Sequence, residues 1–249
     1  MDVIVCVKRV PDTETRIRIA EDGTGIDPSG VKFIPSPYDE FAIEAALRTR
    51  EGAGEGEVTL LTFGDESSQE TLRAGLAMGA DRAVLLTGAP SQDGLRTAKA
   101  LAAELRDASA PLVLVGVKAA DDDHQQVGPM TATLLGRACV TGVTSFEVQG
   151  DAVVCKREVE GGIEVVEARL PAVLTITKGT YEPRYASLKG IMAAKKKPLE
   201  ARPADADADR IRVEKLVYPP ERAPGKIVGE GPEAAAELVR LLREEANVL

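Results

Sequence analysis

Four short apolar runs, each followed by a segment of helical periodicity, constrain this chain more than any other feature. VIVCVKRV (3–10), EVTLLTFG (57–64), AVLLTG (83–88) and PLVLVGVK (111–118) are rich in β-branched residues and leucine. They lack sustained polar alternation, as strands buried on both faces do. In SPYDEFAIEAALRTREG, Ser36 is placed to cap, Pro37 to take the first helical position and Asp39 to sit in the first turn. Ile43, Ala46, Leu47 and Arg50 follow at helical spacing, and Gly52 marks the end. SSQETLRAGLAMGADR carries Ser67 and Glu70 in capping-box spacing. Residues 92–107 put Leu95, Ala98, Leu101, Ala102 and Leu105 on one face, and another helix is expected to begin near residue 124. This alternation predicts an α/β fold, a mostly parallel sheet covered by helices on both faces.

After residue 140 the period changes. VTSFEV, AVVCKREVE and GIEVVEARL alternate, the last two joined at Glu160-Gly161-Gly162, and predict a β-hairpin-rich extension. TRIRIAEDGTGI predicts a smaller hairpin turning at Asp22-Gly23. PAVLTITK (171–178) reads as a further buried strand. It runs out into YEPRYASLKGIMAAKKKP (181–198), which has no clear period. There Leu188 stands among polar neighbours, and five basic residues against one glutamate leave +4 inside a chain that carries −9. A basic arm on an acidic body reads as a contact surface. Residues 201–232, rich in Pro, Asp and Ala, predict an extended tail. A final helix at 233–246 places Ala235, Leu238, Val239 and Leu242 on one stripe, to pack either on a partner or back on its own domain.

The acidic balance argues against nucleic acid as the partner, because phosphate backbones require a basic face. No apolar run approaches the ~20 residues of a membrane span, so no direct membrane insertion is expected. MDVIVCVKRV has its positive end on the wrong side for a signal peptide and reads as a first strand. Cys6, Cys139 and Cys155 are odd in number and have no CxxC spacing. A disulfide framework or structural zinc is not expected, which fits a reducing, cytoplasmic setting.

Catalytic signatures are sparse. His124 is the single histidine, and no Ser/His/Asp or Cys/His constellation assembles around it. It is a candidate general base or simply a polar residue in a first helical turn. GVKAADDDHQQVG (116–128) is more informative, because it lies where a strand ends and a helix begins. Open α/β sheets bind ligands at such ends, and a helix N-terminus offers free N–H groups to a phosphate. Gly116 would let a ligand approach the backbone. Asp121, Asp122 and Asp123 oppose a phosphate if aimed at it, so they cap the helix or face ribose and water. Plain N-capping and a divalent cation are the other readings of the same junction. Neither a GxGxxG nor a GxxxxGK[ST] motif is present.

VKRVPDTETRIRI, SPYDEFAIEAAL, ETLRAGLAMGADRAVLL, ADDDHQQVGPMTA and, above all, LPAVLTITKGTYEPRYASLKGIMAAKKKPLE together resemble the beta subunit of electron transfer flavoprotein. The resemblance runs from the first strand to about residue 200 and continues weakly to the end. It implies an adenine nucleotide alpha-hydrolase-like domain over 1–200, including a partner-recognition loop at 179–198. It also implies an arm at 201–249 whose helix packs on an alpha subunit in a heterodimer. The implied role is that of a non-catalytic subunit of an electron carrier. AMP is bound structurally, and FAD is held mostly by the alpha subunit. Electrons come from acyl-CoA and related dehydrogenases, as in fatty acid oxidation, and pass to a quinone oxidoreductase. Eukaryotic relatives work in the mitochondrial matrix.

Carried onto this sequence, the resemblance places the AMP site at Cys6, Ser36, Pro37, Tyr38, Asp39, Phe63, Gly116 and the segment Asp121, Asp122, Asp123, His124, Gln125, Gln126 and Val127. The phosphate would lie on the backbone near His124–Val127 and adenine near Cys6 and Phe63. The docking loop would use Tyr181, Glu182, Arg184, Tyr185, Leu188, Ile191, Met192, Lys195, Lys196 and Lys197, with Leu188 entering an apolar pocket of the dehydrogenase and the lysines steering encounter. Two departures stand out. A tyrosine that approaches the flavin in some relatives falls at Thr13 here. QVGP at 126–129 resembles the electron-bifurcating branch, where a second FAD replaces AMP, but Asp122 takes the place of that branch's glycine and would crowd the bulkier cofactor. A stand-alone nucleotide-binding stress-type module and a metal-assisted nucleotide hydrolase are the alternatives from other classes.

Overall fold

A computed structural model describes residues 1–222 and 224–249. Ala223, inside the expected arm, lies outside the described residues. The chain divides into two compact units, Met1–Lys215 and Leu216–Leu249.

The first unit is built on a nine-stranded sheet, and its elements follow the alternation in the sequence. They are β1 (Val3–Cys6), β2 (Arg9–Pro11), β3 (Phe33–Pro35), α1 (Pro37–Ala53), β4 (Val58–Gly64), α2 (Ser68–Met78), β5 (Arg82–Thr87), α3 (Gly94–Leu105), β6 (Leu112–Gly116) and α4 (Val127–Leu135). Then come β7 (Ala138–Gln149), β8 (Ala152–Val159), β9 (Gly162–Arg169), β10 (Ala172–Ile176), α5 (Leu188–Ala194) and β11 (Leu199–Pro203). The strand order is β11-β5-β4-β1-β6-β10-β7-β8-β9, and a separate two-stranded sheet pairs β2 with β3. Pairing is parallel from β11 to β7 and antiparallel through β7, β8 and β9. The expected α/β class with a hairpin-rich extension is the observed one.

Period-two alternation explains how both faces are filled. Val3, Val5, Leu112, Leu114, Ala172 and Leu174 point to the face covered by Ile43, Leu47, Leu72 and Leu76 of α1 and α2. Their neighbours Cys6, Val113, Val115 and Val173 point to the opposite face, under Leu101 and Leu105 of α3 and Ala132 of α4. Every one of these residues is buried, and apolar burial of this extent is the main driving force for the fold.

Several local expectations are corrected. Residues 3–10 form two strands, because the chain leaves the large sheet after Cys6 and Arg9–Pro11 pairs with Phe33–Pro35 instead. The hairpin expected at 15–26 is reduced to one bridge, Ile19 with Ile26. Helix α1 ends at Ala53 with Gly54 in the left-handed region, not at Gly52. The Ser67–Glu70 capping box does not form, since the Ser67 hydroxyl turns to Asp65. Leu199–Pro203, which runs into the segment expected to be an extended tail from residue 201, pairs in parallel with β5 as an edge strand. Beyond it Asp207 meets Lys99, Arg96 meets Asp209 at 3.2 Å, and the Arg210 N–H donates to Asp93 at 2.9 Å. The first unit therefore continues past residue 200.

The second unit holds α6 (Ala234–Glu244). Arg240 binds Glu237 at 2.7 Å and Glu244 at 2.6 Å along its polar side, the i,i+3 and i,i+4 pairing that supports an exposed helix. Leu238 and Val239 of the expected apolar stripe face solvent. Among the described residues, no helix is long and apolar enough to cross a membrane.

Candidate functional site

Strand order marks one place in the sheet as special. From β1 the chain moves outward to β4 and β5, then returns to lay β6 on the other side of β1. The crevice beyond the carboxyl ends of β1 and β6 is therefore a topological switch point, where open α/β sheets take ligands. Cys6 ends β1, Gly116 ends β6, Ser36 through Asp39 start α1, and residues 117–126 lead into α4. The fold brings these predicted site residues to one rim. Phe63, two residues past the partner of Cys6 in β4, lies on the same face as Cys6 and Val127.

Asp39 is the internal brace of this rim. Its carboxylate accepts the Lys8 N–H at 2.7 Å and the Gly116 N–H at 3.0 Å, tying the start of α1 to the ends of both central strands. The space a side chain would need at Gly116 is filled by Asp39 and by the backbone of Tyr38. The missing side chain at Gly116 thus serves close packing of α1, whereas the sequence reading assigned it to approach of a ligand. Pro37 occupies the first turn as expected, but Ser36 makes no capping bond, and its buried hydroxyl has no partner among the described residues.

Burial, and then the charge of Asp39, push the Cys6 thiol up to about 12, so it packs rather than reacts. Burial pushes the Asp39 carboxyl up to about 7, against the pull of its two N–H donors. The folded chain then holds a proton that an unfolded aspartate, at 3.8, has released. The stability contributed by this group is complete below about pH 4 and is lost as pH rises through about 7. Asp39→Asn lowers stability overall, because an amide cannot accept both bonds. It should also remove this slope between pH 4 and 7 when urea unfolding is followed across pH. Wild-type and variant curves that stay parallel over that interval would eliminate Asp39 as the titrating group.

The loop after β6 is fixed by ion pairs that sequence reading missed. Lys8 reaches Asp121 at 2.8 Å and Asp122 at 2.7 Å, and Lys118 reaches Asp123 at 2.7 Å. Lys118 also stands 5.5 Å from the Tyr38 ring centre. Burial lowers the Lys8 pKa, but the two carboxylates outweigh it and leave it raised. The three aspartates are thereby turned onto lysines rather than onto the helix start. The signal was available in Lys8, a cation placed two residues after a strand that ends at the rim. His124 Nδ1 lies 3.6 Å from Asp122 and 3.4 Å from the Gln126 amide. Gln126 fills the space beside Gly94 at the start of α3.

Backbone geometry around α4 suits an anion. Asp123 and Gln125 have φ of 52° and 56°, a left-handed conformation rare outside glycine, and Gln126 follows in the α region. Such alternation turns successive N–H groups to one side, as in an anion-binding nest. The N–H groups of Gln125, Gln126, Val127 and Gly128 have no hydrogen-bond partner among the described residues. With α4 behind them, these N–H groups can donate to the oxygens of a phosphate. No group of three or more His, Cys, Asp or Glu residues placed to hold a metal occurs among the described residues.

A second surface lies at α5. Tyr185, Leu188, Ile191 and Met192 are exposed, Leu188 by 84%, and Glu182, Lys195 and Lys196 are also exposed. Three residues expected there turn inward. The Tyr181 ring is buried, with its hydroxyl accepting the Phe146 N–H at 3.0 Å. Arg184 binds Glu44 and Glu51, and Lys197 donates to the carbonyls of Leu76 and Ala80.

Fold and rim define a class, an open α/β domain with strand ends and helix starts gathered at its topological switch point and a separate exposed apolar face. The electron transfer flavoprotein domain matches residues 24–207. Proteins called electron transfer flavoprotein subunit beta are similar over the whole chain and the whole of their own length at 41% identity in Bradyrhizobium diazoefficiens and 39% in Bacillus subtilis. The human protein of that name is 38% identical over 99% of this chain and 98% of its own. The chain belongs to the electron transfer flavoprotein beta-subunit family.

Proposed function

We propose that this chain pairs with an alpha subunit and holds AMP as a structural nucleotide in the β1/β6 crevice. The heterodimer carries electrons in the cytoplasm from acyl-CoA and related dehydrogenases to a quinone oxidoreductase. The observation that carries the nucleotide reading is the row of unpartnered N–H groups from Gln125 to Gly128, at the start of α4 beside the switch point. Cys6 and Phe63 supply the apolar wall for adenine on the same face. The FAD, held mostly by the alpha subunit, supplies the redox chemistry when bound, and this chain helps to frame it. The role of the chain itself is binding and positioning, not catalysis. The exposed face around Leu188 receives the dehydrogenase, and Lys195 and Lys196 steer encounter. The arm with α6 packs on the alpha subunit, which covers Leu238 and Val239.

Asp122 favours AMP over a second FAD, because Lys8 fixes its carboxylate at the loop. The test is to co-express both subunits, denature the purified heterodimer and quantify what it releases. One AMP and one FAD per heterodimer is the expected result. Two FAD and no AMP would replace this reading with the bifurcating one. No adenylate at all would remove the crevice function.

A further inference from the structure

Helix α5 should not hold its shape alone. It spans seven residues, Leu188–Ala194, well below the length at which an isolated helix is stable in water. Its large apolar side chains do not anchor it either, since Leu188, Ile191 and Met192 are exposed and Ala194 is its buried residue. Clamps at its two ends supply what burial does not. On the approach to the helix, Arg184 Nε and Nη2 grip Glu44 at 2.7 and 3.1 Å. Its Nη1 and Nη2 grip Glu51 at 2.6 and 3.1 Å. Glu44 is buried on α1, and Arg48 holds its other side at 2.7 Å while reaching the Thr180 carbonyl. Burial raises the Glu44 carboxyl, but the arginine bonds prevail and leave it below its ordinary range. Past the helix, Arg73 of α2 donates to the carbonyls of Ala194 and Lys197 at 2.5 and 2.7 Å. Lys197 in turn caps α2 through Leu76 and Ala80 at 3.0 and 2.5 Å. Between the clamps the backbone of Gly190 rests against the Ala77 carbonyl, and Ser187 caps the helix through the Gly190 N–H.

We propose that Arg184 and Arg73 are positioning residues for electron transfer. They hold α5 preformed on α1 and α2, and so set affinity for the dehydrogenase without touching it. This rests on the reading that the Leu188 face docks. A preformed contact avoids the ordering cost that a loose loop would incur on binding, and Leu188 lies four residues beyond the Arg184 fork.

The test uses the intact heterodimer, with an acyl-CoA dehydrogenase and its substrate as the donor, in wild type, Arg184→Gln, Leu188→Ala and the double variant. Arg184→Gln should raise KM for the dehydrogenase by about tenfold, leave kcat and bound cofactor unchanged, and speed amide hydrogen exchange across 187–194 by a similar factor. Leu188→Ala should raise KM with exchange unchanged. The double variant should show less than the product of the two effects, because a fork that acts by presenting Leu188 loses its purpose without it. Arg73→Gln at the far clamp should reproduce the Arg184→Gln pattern, and it carries the test if Arg184→Gln fails to assemble. Faster exchange with unchanged KM in Arg184→Gln and Arg73→Gln would overturn the positioning role and leave docking intact. An unchanged KM in Leu188→Ala would overturn the docking reading, and with it this proposal. A full product in the double variant would assign Arg184 an effect separate from Leu188, and would likewise overturn it.

Discussion

Gly116→Ala is expected to lower the stability of the chain by roughly 3–5 kcal/mol, which combines overpacking with damage to a buried hydrogen-bonded carboxylate. The added methyl would strike the Asp39 carboxylate and come within 2.9 Å of the backbone of both Tyr38 and Asp39. A backbone neighbour cannot swing aside as a flexible side chain can. Either α1 lifts from the sheet, or Asp39 gives up its bonds to Lys8 and Gly116. In a chain of this size each kcal/mol moves the midpoint of thermal unfolding by roughly 2–4 °C, so a fall of about 10 °C should be seen by calorimetry. Nucleotide retention should fall with it, since both strand ends and the start of α1 form one rim. A variant that melts within a degree or two of wild type would show that the packing of Asp39 against Gly116 does not brace the rim.

Leu188→Ala should reduce the efficiency of electron transfer from a dehydrogenase by roughly tenfold to a hundredfold. Burying one leucine is worth about 1.5–3 kcal/mol, and Leu188 is the most exposed of the large apolar side chains on α5. Its effect should fall on the dehydrogenase KM rather than on the cofactor, because Leu188 opens α5 and is not one of the rim residues. Stopped-flow reduction of the flavin at varied dehydrogenase concentration measures this directly. Unchanged efficiency would move the docking surface elsewhere.

The parts of the fold that were legible in the sequence are those where burial imposes a period. Leu112 through Val115 alternate between two helical layers and are all buried, so no surface function interrupts the pattern. Where pairing or clamping does the holding, the sequence carried little signal. LEARP at β11 has no β-branched residue and ends in proline, yet it pairs along its own full length with Ala83–Thr87 of β5, because an edge strand needs only one partner. YASLKGIMAA showed no period because α5 is short and held from outside by Arg184 and Arg73. Motif matching behaved the same way. Ser67 had the spacing of a capping box but found Asp65 nearer, while Asp93, not singled out, caps α3 through the Leu95 and Arg96 N–H groups.

At the candidate site the rim was legible as a strand-to-helix junction, since Val115-Gly116 ends an unbroken apolar run. The internal bracing was not. Asp39 and Gly116 are far apart in the chain, and so are Lys8 and Asp122, so only the β1–β6 adjacency reveals them as pairs. The left-handed residues Asp123 and Gln125 gave no warning either, because neither is glycine. A conformation that costs energy at such residues persists only where the surroundings enforce it, and at Asp123 the carboxylate is held by Lys118 at 2.7 Å.

The central claim concerns the donors at the start of α4, and backbone amide resonances read them directly. The heterodimer, stripped of nucleotide and titrated with AMP, should show saturable shifts of the Gln125, Gln126, Val127 and Gly128 amides, with slowed hydrogen exchange at each. Resonances at these four positions that stay unmoved at saturating AMP would contradict the account.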